Sequence, residues 1–451
     1  MRISIKRSLI FLLVLKSVTG FSQKGNEKPK EKYTPAFMLG YVDFREANVW
    51  MMDQKSWSEI QYWDLEQPNN KIVVKARTSQ KVNTHYVYDF RLGPLDPGKK
   101  YAYKYFVQGK KDDSNEPFYT FETPALWKWR GAAPDFKIAM GSCYYANQPE
   151  HDRPGKPYGD TATGIFDQIT QKDPDMMLWL GDNIYLREPD WGSETGIQER
   201  YVFYRNQQST KKLLTYCPNL AIWDDHDFGP NDANCSYYNK QLTLNAFKTF
   251  WPNTGNNIKG VEGITYAFDY QDAHFFMLDD RYNRTPNYCD SCVEETILGK
   301  SQLEWFKTSL LTLPKSDIKV VAIGGQFLNS VKDFECYRRW EWEYNDIISF
   351  IQNNGIKNVI FLTGDRHFSE LSILKKEGKP TIYDFTVSPL TSGVFKKVTE
   401  INTNRVEGSL YTNDRSFGMI EFTGKEKERK FKFVLYDKAG TEIYHFEFSK
   451  E

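Results

Sequence analysis

Apolar runs along this sequence stop at clusters of residues that bind metals or move protons. The run at 136–140 ends in Gly141-Ser142-Cys143, and the run at 176–180 ends in Gly181-Asp182-Asn183-Ile184-Tyr185. The run at 220–223 ends in Asp224-Asp225-His226-Asp227, and 275–278 ends in Asp279-Asp280-Arg281. Later, 320–323 ends in Gly324-Gly325-Gln326, and 359–363 ends in Gly364-Asp365-Arg366-His367. Ligands of α/β sheets bind just beyond the carboxyl ends of strands. Carboxylate, imidazole, thiol and phenol groups repeated at that place point to a multi-metal centre.

The carboxylate of Asp182 can bridge two cations, and Tyr185, three residues on, offers a phenolate for a trivalent one. A bare Gly-Asp is also common in structural turns. Asp224-Asp225-His226-Asp227 is more specific, because carboxylates packed together repel unless cations or hydrogen bonds compensate. Its bland alternative is a solvated acidic turn. Asp365 and His367 lie two apart, so both can face one site, although either is also a plausible structural residue. As a thiolate, Cys143 suits iron or zinc better than calcium. Otherwise it is a buried small hydrophobe or a disulfide partner.

These loops need strands to hold them. From residue 135 onward, strand-like runs alternate with helical spacing at 164–169, 301–306 and 344–351. The chain returns to strands at 418–422, 430–436 and 442–448, with Asp437-Lys438-Ala439-Gly440 as a hairpin turn. Residues 33–124 read as short strands and turns, which predicts a small β-sandwich, and 124–135 reads as a linker. Within the sandwich, Leu95-Asp96-Pro97-Gly98-Lys99-Lys100-Tyr101-Ala102-Tyr103 resembles the tyrosine-corner strand of fibronectin type III-like domains.

The chain has 451 residues, enough for two domains. Lysines plus arginines equal aspartates plus glutamates at 59 each, so net charge makes no case for nucleic acid or an anionic membrane. Aromatics at 16% fit thick β packing, with sugar-binding platforms as the alternative. Residues 1–22 read as a signal peptide: Arg2, Lys6 and Arg7 precede a short apolar core, and Gly20-Phe21-Ser22 offers small residues for cleavage. Residues 23–32 read as a flexible lead. Export to the periplasm or the medium follows, and no later run is long enough to span a membrane. Cys289-Asp290-Ser291-Cys292 reads as a loop disulfide in that oxidising setting.

Taken together, Gly141-Ser142-Cys143, Gly181-Asp182-x-x-Tyr185, Trp223-Asp224-Asp225-His226, Leu278-Asp279-x-Arg281, Gly325-Gln326, Gly364-Asp365-x-His367 and Ser388-Pro389-Leu390-Thr391-Ser392 resemble the PhoD-like alkaline phosphatase/phosphodiesterase family. The resemblance covers nearly everything after residue 22. It implies an α/β metallophosphoesterase-like sandwich of two sheets flanked by helices over 135–451, preceded by a fibronectin III-like sandwich over 33–124. It also implies an Fe(III) and Ca(II) centre, with other divalent metals as alternatives, acting on a small phosphate-ester substrate. Cys143 and Tyr185 would bind iron, Asp182 would bridge, and Asp225, Asp365 and His367 would complete the ligands. Asp224 would bind calcium or orient a neighbour. His226 would contact phosphate and protonate the leaving group, while Arg281 would neutralise phosphate or hold the Asp279 loop. Gln326 would stand behind the ligands.

Asp227, Asp280 and Arg366 depart from the family pattern. They are expected at the rim, where they would affect substrate preference. The expected reaction is hydrolysis of a phosphate mono- or diester by water that the cations activate. A phosphodiesterase directed at phospholipid or cell-wall polymer is the nearest alternative, and a secreted glycan-binding protein with structural metals is the alternative of another class.

Overall fold

A computed structural model describes residues 35–56, 58–106, 118–254, 258–288, 295–333, 335–425 and 428–451. The expected signal peptide over 1–22, the expected lead over 23–32 and the expected Cys289–Cys292 disulfide lie outside the described residues. Residues 35–451 form one compact unit.

The first eight strands build the expected sandwich. They are β1 (Ala36–Val42), β2 (Ala47–Asp53), β3 (Glu59–Asp64), β4 (Ile72–Lys75), β5 (Thr78–Val82), β6 (His85–Leu92), β7 (Lys100–Phe106) and β8 (Tyr119–Glu122). Sheet β1-β2-β6-β5 faces sheet β4-β3-β7-β8, all pairs antiparallel. The Tyr101 hydroxyl accepts a hydrogen bond from the Asp96 backbone N–H at 2.8 Å, fixing the turn before β7.

Strand periodicity explains how this sandwich is anchored. Phe37, Leu39, Val49 and Met51 face its own core. Their neighbours Ala36, Met38, Trp50 and Met52 point the other way and join the core of the larger body. Trp50 donates from Nε1 to the Thr249 carbonyl at 2.8 Å, and its ring packs 5.9 Å from Phe250. The sequence-based division at 124–135 therefore separates two architectures, and the outer face of β1 and β2 joins the core of the second.

The body carries β9 (Phe136–Gly141), α1 (Ile165–Gln171), β10 (Met176–Leu180), α2 (Glu194–Arg205), α3 (Lys211–Tyr216), β11 (Asn219–Ile222), α4 (Asp225–Phe228) and α5 (Lys240–Phe250). Next come β12 (Tyr266–Tyr270), β13 (Ala273–Met277), α6 (Gly299–Thr312), β14 (Ile318–Ala322), α7 (Glu341–Asn353), β15 (Val359–Thr363), β16 (Glu370–Leu374), β17 (Ile382–Thr386), β18 (Ser416–Thr423), β19 (Lys430–Asp437) and β20 (Glu442–Ser449). The order in one sheet is β11-β10-β9-β18-β19-β20, and in the other β12-β13-β14-β15-β17-β16. Strands β9, β10 and β11 run parallel, as do β13, β14, β15 and β17.

The near-continuous apolar runs follow from burial on both faces. Val320, Ala322, Ile360 and Leu362 pack into the core between the sheets. Val321, Ile323, Val359 and Phe361 pack under α6 and α7, against Phe306, Ile347 and Ile351. Between the sheets, Phe385 stacks on Phe433 at 4.1 Å. Each such side chain contributes about 1.5–3 kcal/mol by leaving water. The result is two sheets flanked by helices, with the parallel strands delivering their carboxyl ends to one edge. Among the described residues no helix is long and apolar enough to cross a membrane.

Candidate metal centre

The ends of β9, β10, β11 and β15 converge. Cys143 N–H donates to the Gly181 carbonyl at 3.3 Å and Tyr144 N–H to the Asp182 carbonyl at 2.8 Å, so the first two loops are stitched together. Gly181, at φ 92°, approaches so closely that a Cβ there would lie 2.6 Å from Cβ of Asp224. Cys143, Asp182, Asp365 and His367 all adopt left-handed backbone, at φ 58°, 52°, 67° and 56°. That conformation costs a non-glycine residue about 1–2 kcal/mol. Four such residues on converging loops mark a site built for position rather than for stability.

The groups then meet. The Tyr185 hydroxyl donates to Asp182 Oδ2 at 3.0 Å and lies 3.4 Å from His367 Nε2. Cys143 Sγ lies 3.6 Å from the same Asp182 oxygen. The other Asp182 oxygen accepts the His226 backbone N–H at 3.2 Å. Ligand atoms of Cys143, Asp182 and His367 all lie within 4.8 Å of one another, as do those of Asp182, Asp225 and His226, and those of Asp224, Asp225 and Asp365. Asp182 and Asp225 link these groups into one cluster.

The donor set fits cations. Asp224 Oδ2 and Asp225 Oδ1 are buried with no hydrogen-bond partner, a costly state for a carboxylate oxygen unless an ion sits against it. Burial and the neighbouring Asp225 push the Asp182 carboxyl well above its ordinary range. Burial raises Asp224 likewise, against the opposing charge of Arg281. Burial pushes the Cys143 thiol up to about 12, with Asp365 adding to the effect. A bound cation reverses each of these effects by favouring the charged ligand. His367 Nδ1 lies 2.6 Å from the Gly393 carbonyl, which places its proton there and leaves Nε2 as the lone-pair nitrogen facing Tyr185. Ser388 donates to Cys143 Sγ at 3.1 Å and accepts the His367 backbone N–H at 2.9 Å.

Arg281 has no exposed surface. Its Nε donates to Asp224 Oδ1 at 2.6 Å, and its Nη1 to Glu335 Oε1 at 3.1 Å, while Nη2 pairs with both carboxylates. Asp279 is instead held by backbone N–H groups of Ile264, Arg281 and Tyr282. The Arg281 side chain clamps Asp224 against Glu335, a contact outside the two roles expected of it.

The rim expectation for Asp227, Asp280 and Arg366 is overturned, for all three are buried. Asp227 accepts backbone N–H groups of Asn183, Ile184 and Asp224, tying the Asp182 loop to the start of α4. Asp280 accepts Gly325 N–H at 3.0 Å. Arg366 forms a two-pronged pair with Glu400 at 2.9 and 2.8 Å and donates to Gln326 at 2.8 Å. Asp227 and Arg366 offset their burial with several hydrogen bonds under the loops that carry the candidate ligands, while Asp280 keeps Oδ1 without a hydrogen-bond partner, 3.9 Å from Arg281 Nε.

Glu335 was invisible to sequence reading. It receives Arg281, Arg284 and Asn287 at once. Ligand atoms of Asp225, Asp232 and Glu335 also lie within 4.8 Å, but three of the donors on Glu335 converge on its Oε1 and Arg281 also takes its Oε2. Cys143, Cys217, Cys235 and Cys336 carry free thiols.

The sequence model of the PhoD-like phosphatases matches residues 153–430. The chain belongs to that family. Alkaline phosphatase D of Bacillus subtilis (strain 168) is 23% identical over 375 residues, covering 72% of this chain and 61% of that protein. This chain thus matches less than two thirds of that relative's length. A solved structure of PhoD superposes with a TM-score of 0.68 at 17% identity, covering 92% of both chains. The purple acid phosphatase PPD1 from yellow lupin (Lupinus luteus) seeds gives 0.65 at 13% identity, covering 92% of this chain and 74% of that one. Both share the fold.

Proposed function

We propose that this PhoD-like chain is an exported, metal-dependent hydrolase of small phosphate esters. The observation that carries the reading is the pair of buried, unpartnered oxygens on Asp224 and Asp225 beside Asp182. In this reading Cys143, Tyr185, Asp182 and His367 would hold iron, and Asp224, Asp225 and Asp365 would hold calcium. The soft and phenolic donors suit a trivalent ion, and the all-carboxylate set suits a hard divalent one.

Cations held there supply Lewis acidity to the phosphoryl group and make water acidic enough to ionise near neutral pH. The side chains supply the rest. Asp182 fixes the spacing of the two halves, with one oxygen toward Tyr185 and Cys143 and the other on the His226 N–H. The His226 ring lies 4.2 Å from that of Tyr185 and beside Asp182 and Asp225. Burial lowers its pKa, so a proton it carries passes readily to a departing alkoxide.

Residues 1–22 act as the export signal. The sandwich is of the fibronectin III kind, a reading supported by its strand order and by the Tyr101–Asp96 corner. Its aromatics Tyr62, Tyr88, Tyr101, Tyr103 and Phe121 are buried in its core, which favours packing over a glycan platform.

The test is elemental analysis of the exported protein, purified without added metal, together with turnover of a phosphate ester. About one iron with calcium per chain, and hydrolysis that chelation abolishes, are expected. Folded protein with neither metal nor hydrolysis would overturn the reading.

A further inference from the structure

The site has an aromatic path leading out of it that the chemistry above does not use. The Tyr185 ring lies 4.9 Å from that of Tyr145, and Tyr145 meets Tyr158 edge to face at 4.9 Å and 78°. Tyr158 is 45% exposed, yet it is held. Its hydroxyl lies 3.0 Å from His367 Nδ1, and its ring lies against Gly393, where a Cβ would come within 2.7 Å of it. Tyr145 is braced in turn. Its hydroxyl donates to Asp152 at 3.0 Å, and the Arg187 guanidinium lies 4.4 Å over its ring while pairing with the same Asp152 at 3.1 Å. A second exposed aromatic, Phe395, is tied to the same ligand, for its N–H donates to the His367 carbonyl at 2.9 Å and its surface is 42% exposed.

Large exposed aromatics normally move freely. Here one has its hydroxyl beside the imidazole N–H of a candidate ligand, which the Gly393 carbonyl shares, and its ring in edge-to-face contact with a braced ring. That arrangement holds a partly exposed aromatic ring beside the cation cluster. A ring held in this way binds flat rings without an ordering cost.

We propose that Tyr158 forms a subsite for the alcohol part of the substrate. The site thereby favours phosphate esters whose alcohol carries a flat unsaturated ring, whether aryl or nucleobase. The inference rests on the reading of the centre as a phosphate-ester hydrolase and names the substrate class of that same site.

The experiment uses metal-loaded full-length protein as wild type, Y158A and Y158F. It compares kcat/KM for phenyl phosphate, a nucleoside monophosphate and glycerol 3-phosphate. Phenol leaves more easily than glycerol, but that advantage cancels when the phenyl-to-glyceryl ratio is compared between variants. The ratio is expected to fall about two- to twelvefold in Y158A, the range of one aromatic contact, and to fall less in Y158F, which keeps the ring packed on Tyr145 and drops only the hydroxyl contact. A parallel fall for the nucleoside ester assigns nucleobases to the subsite, and a fall for phenyl alone assigns aryl esters. An unchanged ratio in Y158A, or an equal fall in Y158F, overturns the proposal and leaves Tyr158 as a prop for His367. Binding of phenylphosphonate against methylphosphonate reads the same preference without turnover. Wild type that hydrolyses none of the esters would sink the hydrolase reading, while the phosphonate ratio would still decide the subsite.

Discussion

Arg281 holds one oxygen of Asp224, donating from Nε to Oδ1 at 2.6 Å, and leaves the other oxygen of that carboxylate buried without a partner. The two facts belong together. A carboxylate free to rotate would turn both oxygens toward the guanidinium, and here Glu335 takes the other side of the fork. Asp224 is thereby made a one-oxygen donor aimed at Asp225 and Asp365.

Arg281→Lys tests this geometry. Lysine keeps the charge but cannot span two carboxylates with a planar fork. Calcium affinity is expected to fall about 10–100-fold, the usual effect of losing a residue that orients a ligand. Iron bound through Cys143, Tyr185 and His367 should stay. Calorimetric titration with calcium, beside an iron assay, would separate the two, and equal calcium affinity in the variant would refute the clamp.

Asp182→Asn removes charge from the residue that joins both halves of the cluster. A fall in kcat of about a hundredfold or more is expected, comparable to losing one preorganised electrostatic contact, together with lost metal. Full rate in a metal-loaded preparation would rule out the proposed mechanism.

The candidate ligands could be picked out in the sequence because each follows an apolar run long enough to be a buried strand, and strand ends gather ligands. Cys143, Asp182, Asp225, Asp365 and His367 all lie where that rule puts them. The clamp could not be read. Glu335 stands in irregular chain with no motif around it, and reaches Arg281 only through tertiary folding. Arg366 and Asp227 were misplaced at the rim for a related reason. A charged residue next to a ligand looks solvent-facing in one dimension, whereas buried partners such as Glu400 and the Asn183 N–H appear only in three. Tyr158 lay far from every strand end, so periodicity gave no reason to single it out.

Metal removal should destabilise the fold. Asp182 and Asp224 are buried beside other carboxylates and pushed well up by that burial. A cation present at about a thousand times its dissociation constant adds about 4 kcal/mol to stability. Thermal unfolding with and without a chelator is expected to show a clear drop in Tm, restored by adding calcium back. Identical curves would mean that the carboxylate cluster is not occupied in the purified protein.

Trp50→Ala probes the outer face of β2 in the core of the body. The ring is buried between sandwich and body, with Nε1 on the Thr249 carbonyl. Loss of about 3–5 kcal/mol is expected from truncating a buried aromatic, and the metal cluster should be untouched. A variant as stable as wild type in urea would show that the sandwich and the body do not support each other.

His274 gives a pH dependence remote from the metals. Its Nδ1 lies 2.6 Å from Asp269 Oδ1 and its Nε2 3.1 Å from Asp317 Oδ2. Burial alone would lower its pKa, but the hydrogen bonds and charges of Asp269 and Asp317 outweigh that and leave it raised. Between the unfolded value of about 6.5 and the raised folded one, the native state binds more protons than the unfolded state, so stability falls as pH rises. The contribution is fully present below about pH 6.5 and disappears as pH climbs through the folded value. Asp269 is largely exposed, so the effect is held to about 0.5–1 kcal/mol. Urea unfolding of wild type and His274→Asn across this range should converge at high pH and separate at low pH, with wild type the more stable. Curves that separate in the opposite direction would mean that burial, and not the two carboxylates, controls the imidazole.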